Sequence, residues 1–175
     1  MKYCSYCRGS IIKKIPELDD KHRDVCSDCG QIFYNNPKII VGILPVYHDK
    51  ILLCKRAIEP KYGKWTLPSG FMENKETLED GAKREAFEEA GIEVNHLNLY
   101  VTYSIPHISQ VYFLFKANLI KPEWNNGIET LDSQLYSLDQ IPWNEIAFSA
   151  VSYTLKCYVN DYATNEFPLH SNFFE

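Results

Sequence analysis

GFMENKETLEDGAKREAFEEAGI, residues 70–92, is the stretch that decides how this chain folds. Gly70 is followed after five residues by Glu76, after seven more by Arg84-Glu85, after two by Glu88-Glu89, and after one by Gly91-Ile92. Thr77-Leu78-Glu79-Asp80 sets an N-cap hydroxyl three residues ahead of an acid. Gly91 stands where a left-handed residue ends a helix, so the pattern predicts a helix over residues 78–90. At 100° per residue, Glu85, Glu88 and Glu89 fall within about 100° of one another. Leu78 and Gly81 share that stripe, which aims the acids at a crowded place. Phe87 and Ala90, on the other side, are expected to pack into a core.

Like charges three or four residues apart on a helix cost roughly 0.2–0.5 kcal/mol per pair. Arg84 offsets Glu88 at i+4 but not all three acids. A solvated acidic face is the ordinary reading of a Glu-Glu pair, and only the surrounding spacing favours a metal cradle. Mg²⁺ is the cation that characteristically combines a few carboxylates with the phosphates of a substrate.

The segment resembles the Nudix box, G-x5-E-x7-R-E-U-x-E-E-x-G-U, at every fixed position, with Ala86 small where many members carry a larger aliphatic residue. That resemblance implies an α/β/α sandwich around a mixed sheet. It also implies Mg²⁺- or Mn²⁺-dependent hydrolysis of a nucleoside diphosphate linked to another group. By the same resemblance Glu85, Glu88 and Glu89 are metal ligands, the Gly70 carbonyl adds another, Arg84 orients a glutamate, and Glu76 is accessory. The base that activates water is left between Glu85 and Glu129. The latter lies in the loop Asn125-Asn126-Gly127-Ile128-Glu129, a region from which many family members recruit a base.

A second signal opens the chain. Cys4-x2-Cys7 and Cys26-x2-Cys29 are eighteen residues apart, the spacing of a four-thiolate zinc site. Four protein ligands leave no open position, so such a zinc is structural. Two disulfides or bound iron are the rival readings, and the lack of a secretory segment weakens the disulfides. Cys54, in the apolar run Ile51-Leu52-Leu53-Cys54, reads as a buried inert thiol.

The chain of 175 residues is long enough for one sizeable core plus a small module needing a staple. A zinc ribbon over residues 1–36 and a Nudix domain over 37–175 are expected. Eighteen basic against 23 acidic residues give a net charge of −5 with no basic tract, which argues against general nucleic-acid binding. With neither a membrane-length apolar run nor a signal-peptide pattern, a cytoplasmic protein is expected. Strands are predicted at 39–46 and 51–57 as a hairpin, at 65–67, at 97–105 by clean alternation, at 111–119 and at 134–138. Pro142 is expected to open a second helix, Trp143 to Asn160. The aromatic tail from Asp161 carries no pattern.

The substrate is less legible than the reaction. Lys55 and Arg56 follow a strand and are candidates for phosphate contact. Tyr62, Trp65, Phe71, His107 and Tyr112 are candidates for stacking a base or flavin, with core or rim packing the ordinary alternative for each. A ribbon ahead of a Nudix domain is similar to the NADH pyrophosphatases, but their Ser-Gln-Pro-Trp-Pro-Phe-Pro signature is missing from Tyr103–Gln110. Asn36-Pro37-Lys38, Cys54-Lys55-Arg56-Ala57, Gly63–Pro68 and Ser104-Ile105-Pro106-His107 instead resemble short ribbon-bearing bacterial relatives of plant chloroplast FAD and ADP-ribose pyrophosphatases. The resemblance implies cleavage of an ADP-ribose- or FAD-like substrate into two monophosphates, and many such relatives are homodimers. NADH or another dinucleotide as substrate, or a non-catalytic nucleotide sensor, are the alternatives.

Overall fold

A computed structural model describes residues 1–174, which fall into two compact units, Met1–Asn36 and a second that starts at Pro37. In the first, β1 (Ile11–Lys14), β2 (Arg23–Cys26) and β3 (Ile32–Phe33) form an antiparallel sheet in that order. Its interior is little more than Val25 packed beside Cys4 and Cys26. So small a core does not offset the conformational entropy of ordering its chain, and a unit of this size needs a covalent or metal staple.

The second unit is built on one mixed sheet. It contains β4 (Lys38–Tyr47), β5 (Lys50–Arg56), β6 (Trp65–Thr66), β7 (Ser69–Phe71), the helix α1 (Leu78–Ala90), β8 (Val94–Ile105), β9 (Gln110–Leu119), β10 (Thr130–Ser137), the helix α2 (Ser149–Thr164) and β11 (His170–Phe173). The strand order is β10-β5-β4-β9-β8-β11, with β6 paired to β5 and β7 to β4. The β4/β9 and β8/β11 pairs are parallel and the rest antiparallel. Side chains alternate across β4. Ile40, Leu44 and Val46 join the core beneath α2, whereas Val41 and Ile43 join the core beneath α1. A strand buried on both faces reads as a continuous apolar run, and β4 does. This is the expected α/β/α sandwich.

Helix α1 begins and ends where its caps predict. Thr77 Oγ1 accepts the Asp80 N–H at 3.1 Å, and Gly91 takes the left-handed conformation at φ 63°. Its sheet-facing strip is Ala82, Ala86 and Ala90, all fully buried, with Gly81 beside it. Small side chains at every fourth position let the helix axis approach the sheet closely, which is the reason Ala86 is small. That strip also explains one correction. Phe87 was expected in the core but is 62% exposed, because it lies a full 100° round from Ala86.

Three further elements depart from expectation. Ser69–Phe71, expected as loop, is a strand paired to β4, and β10 starts at Thr130 rather than near Gln134. The second helix does not begin at Trp143. Trp143–Glu145 is one 3₁₀ turn, and the Ala147 N–H is then spent on the Trp65 carbonyl at 2.8 Å. That bond, with the parallel bridge of Ile146 to Trp65, keeps the backbone extended until α2 starts at Ser149. The helix then runs past Asn160 to Thr164. The tail does have structure: β11 extends the sheet edge beside β8, and Phe167 packs between Tyr100 and Tyr158.

Candidate active site

The loop from β7 to α1 is wrapped on to the helix by Arg84. Its Nε and Nη2 take Glu76 as a bidentate pair at 3.0 and 2.8 Å, and Nη2 also donates to the Phe71 carbonyl at 3.1 Å. Nη1 reaches Glu85 at 2.7 Å and Glu88 at 3.0 Å. Five bonds from one guanidinium thus set the positions of three of the pattern's four glutamates. Arg84 and the Glu73 N–H hold the Glu76 carboxyl down at about 2.

The glycines of the pattern answer to space. A Cβ on Gly70 would occupy the position of the Glu85 carboxyl group, and one on Gly81 would meet Glu76 Oε1 at 2.6 Å and Val41 Cγ2 at 3.0 Å. The fixed spacing in the sequence is therefore a record of contacts across the β7–α1 junction.

The three acids of the helix stripe are buried to different depths. The Glu88 side chain is 56% exposed, that of Glu85 13%, and Glu89 as a residue 7%. Burial pushes the Glu89 carboxyl up to about 8, against the pull of the Ser69 N–H that it accepts at 3.0 Å; Glu85 adds to the rise. Burial likewise raises Glu85, with Arg84 opposing and Glu88 and Glu129 adding to it. The charge of Glu129, an exposed residue forty residues beyond the helix in sequence, thus reaches both buried acids. Arg56 acts on Glu89 with the opposite sign. It lowers Glu89 and Tyr112 alike, while its Nε donates to the Pro60 carbonyl at 2.9 Å and its guanidinium lies over Phe148 at 5.0 Å.

Hard oxygen donors crowded on one helix, one of them reluctant to ionise while buried without a cation, fit a small divalent cation. The Gly70 backbone, opposite Val41 on β7, borders Glu85 directly. Cys54 lies beneath the same group, fully buried and pushed up to about 12 by that burial and by Glu89, which suits an inert thiol.

The side chains of the other candidates make contacts of their own. Lys55 Nζ sits over Trp65 at 5.5 Å. His107, in the 3₁₀ turn Pro106–Ile108, packs against Phe174 of the tail at 5.4 Å. Tyr112 is buried, with its hydroxyl 3.3 Å from Gln110 Oε1. Tyr62 and Phe71 are exposed, and Lys38 Nζ lies over the Phe71 ring at 5.1 Å. Sequence reasoning missed Ser69, which donates a backbone N–H, and Phe148, which lies 92 positions from Arg56. Neither carries a local signal.

In the first unit, the Sγ atoms of Cys4, Cys7, Cys26 and Cys29 all lie within 4.8 Å of one another. Cys4 and Cys29 are 3.8 Å apart, and Cys7 and Cys26 3.4 Å. A tetrahedral zinc with bonds of about 2.3 Å has edges of roughly 3.8 Å, whereas a disulfide needs about 2.05 Å. The donor set therefore fits structural zinc. Cys26 is held down to about 7, foremost by the Cys29 backbone N–H, so one thiolate is ready near neutrality.

A family model described as NUDIX domain matches residues 36–155, and one described as Nudix N-terminal, a zinc ribbon, matches residues 2–35. The chain is 32% identical over 149 residues to the NAD-capped RNA hydrolase NudC of Escherichia coli O157:H7, covering 81% of this chain and 53% of that protein. It spans about half the length of the curated relatives it matches. The crystal structure of a NUDIX hydrolase from Nitrosomonas europaea superposes with a TM-score of 0.95 at 48% identity, covering 99% of both chains. An ADP-ribose pyrophosphatase from Streptococcus suis 89-1591 shares the fold alone, with a TM-score of 0.62 at 22% identity over 79% of this chain and 100% of that one.

Proposed function

The chain belongs to the Nudix hydrolase family, and from that premise we propose that it hydrolyses the pyrophosphate bond of a nucleoside diphosphate-linked substrate of the ADP-ribose or FAD type. One observation carries the reading. Glu85, Glu88 and Glu89 share a helix face, Arg84 bonds the first two, and the charges of Glu129 and Arg56 both reach the buried Glu89.

Glu85, Glu88, Glu89 and the Gly70 carbonyl would hold Mg²⁺ or Mn²⁺. Such an ion, when bound, neutralises diphosphate charge and acidifies a water. The protein's residues supply position and proton transfer. Glu85 is engaged by Arg84, so the proton of the attacking water falls to Glu129, which lies outside the helix in a loop docked on its last turn and close enough for its charge to act on both buried acids. Arg84 is consumed by its own glutamates. Arg56 is held through Nε and by stacking on Phe148, leaving its outer nitrogens for a substrate phosphate. Tyr112, on which Arg56 acts, borders the place of the attached group.

A second reading keeps the reaction and changes the substrate to an NAD-type dinucleotide. The NudC relatives favour it; the missing signature at Tyr103–Gln110 opposes it. Purified protein with Mg²⁺ or Mn²⁺ and a panel of ADP-ribose, FAD, NADH and NAD-capped RNA separates the two. Glu88→Gln is expected to lower turnover by roughly 10²–10³-fold, on the scale of losing one charge-stabilising group. Undiminished turnover in that variant overturns the ligand assignment. No cleavage of any member of the panel overturns the enzyme reading in favour of a nucleotide sensor.

A further inference from the structure

The connection between β9 and β10 is docked on the last turn of α1. The Asn125 N–H donates to the Ala90 carbonyl at 2.8 Å and the Gly127 N–H to the Glu89 carbonyl at 3.0 Å. Those carbonyls belong to the helix end, where no intrahelical donor remains for them. The Thr130 N–H then closes on the Gly127 carbonyl at 3.1 Å, and the Ala57 N–H, next to Arg56, takes the Glu129 carbonyl at 2.8 Å. The segment 125–129 is therefore tied at both ends, through Asn125 and Gly127 to the acid-bearing helix and through Glu129 to the residue that follows β5.

Glycine occurs on both sides of this contact for different reasons. Gly91 has a left-handed backbone, and a Cβ there would also meet the Asn125 carbonyl oxygen at 2.7 Å. Gly127 is not among the positive-φ residues, so its conformation is open to other side chains. What bars one is space: a Cβ on Gly127 would fall on the Glu88 carbonyl oxygen, with the Glu88 carbonyl carbon at 3.0 Å. That obstacle is helix backbone, which cannot turn aside as a side chain can.

We propose that Gly127 is a positioning residue that locks Glu129 against the acidic face of α1, so that the base and the glutamate set move as one body. This rests on the assignment of Glu129 as the base. In Gly127→Ala the loop must lift from the helix while every chemical group of the site is retained. A displacement of about 1 Å at a reacting group costs on the order of 10²-fold. The expected result with ADP-ribose and Mg²⁺ is thus a kcat about 10²-fold lower with KM changed less than about threefold.

The decisive measurement is a double-mutant cycle. Gly127→Ala should cost less than about threefold in a Glu129→Gln background, because there is no base left to misplace. The same fold-loss in both backgrounds, a rise in KM alone, or a Glu129→Gln variant with native kcat overturns the proposal. Ile128→Ala, at a residue 98% exposed, should leave the rate unchanged. Amide hydrogen exchange tests the lock without turnover. The Asn125 and Gly127 amides should be as protected as the last turn of α1 in the native protein, and unprotected in Gly127→Ala. Free-loop exchange in the native protein overturns the lock whatever the substrate proves to be, whereas absent ADP-ribose cleavage with protected amides counts against the functional assignment alone.

Discussion

Replacing Arg84 by lysine keeps the charge and removes the geometry. The guanidinium makes five bonds in three directions: two to Glu76, one each to Glu85 and Glu88, and one to the Phe71 carbonyl. An ammonium offers three donors from a single atom, so at least two of these bonds are lost and the bidentate pair with Glu76 cannot be rebuilt. Hydrogen bonds to charged groups are worth about 1.5–3 kcal/mol each. The Arg84 side chain is 28% exposed and that of Glu76 15%, so solvent screening calls for the lower end. The expected loss is about 3 kcal/mol, or roughly 6–12 °C in Tm for a domain of this size. Urea unfolding without divalent cations, followed by tryptophan fluorescence, measures it. Trp65, Trp124 and Trp143 all belong to the second unit, so the signal reports that unit alone. The midpoint should fall by about 1–2 M. A midpoint within about 0.2 M of the native value would refute the claim that the fork, rather than the charge, holds the β7–α1 junction.

Two more outcomes follow from the charges. Glu89 titrates near 8 in the folded, cation-free chain and near its ordinary value unfolded. A raised carboxyl pKa means that this group's stabilising contribution is full below the unfolded value and is lost as pH rises through the folded one. Binding of a divalent cation needs the ionised form, so Mg²⁺ affinity should rise nearly tenfold per unit up to about pH 7 and flatten above about pH 8, with nearly one proton released per ion near pH 7. Calorimetric titration in buffers of different ionisation enthalpy checks this, and an affinity that stays flat where the rise is expected would contradict it. In the first unit, elemental analysis should find one zinc per chain, and Cys26→Ser should reduce it to well under half with loss of exchange protection at Val25. Protein that carries no zinc when freshly purified would remove the staple from the argument.

What was legible in the sequence was local. Helix α1 was legible because Thr77, Gly91 and the spacing of the acids are signals within one turn of their effect. The hairpin of β4 and β5 was legible because a continuous apolar run and a short polar turn need no distant partner. Phe87 was misplaced because a single helix face was weighed without knowing that the sheet accepts only the narrow alanine strip. The start of α2 was missed because the competing bond comes from Trp65, about eighty residues away. Strand β11 was illegible for a similar reason: His170-Ser171-Asn172-Phe173 has no strand pattern, and its order comes from pairing with Val101–Ser104 and from a shared anchor. His170 and the Tyr100 hydroxyl both bond Asp161 Oδ2, at 2.7 and 2.6 Å.

The same distinction separates the reaction from the substrate. The hydrogen bonds to the glutamate side chains lie within residues 69–89, so a single motif can encode them. The groups we propose as substrate contacts, with the ring that holds one of them, come from separate segments: Arg56 at the end of β5, Tyr112 on β9, and Phe148 just ahead of α2. The two arginines show the difference. Arg84 has the role of orienting a glutamate by its place in the pattern, and its donors do serve Glu76, Glu85, Glu88 and the Phe71 carbonyl. Arg56 is an unremarkable cation in sequence. Only the folded chain shows it stacked on Phe148, tied at Nε to Pro60, and acting on Glu89 and Tyr112 together. We therefore propose that this cation, held at one nitrogen and on one face, with its outer nitrogens left for a phosphate that every candidate substrate carries, sets how tightly a substrate is held rather than whether the bond is cut.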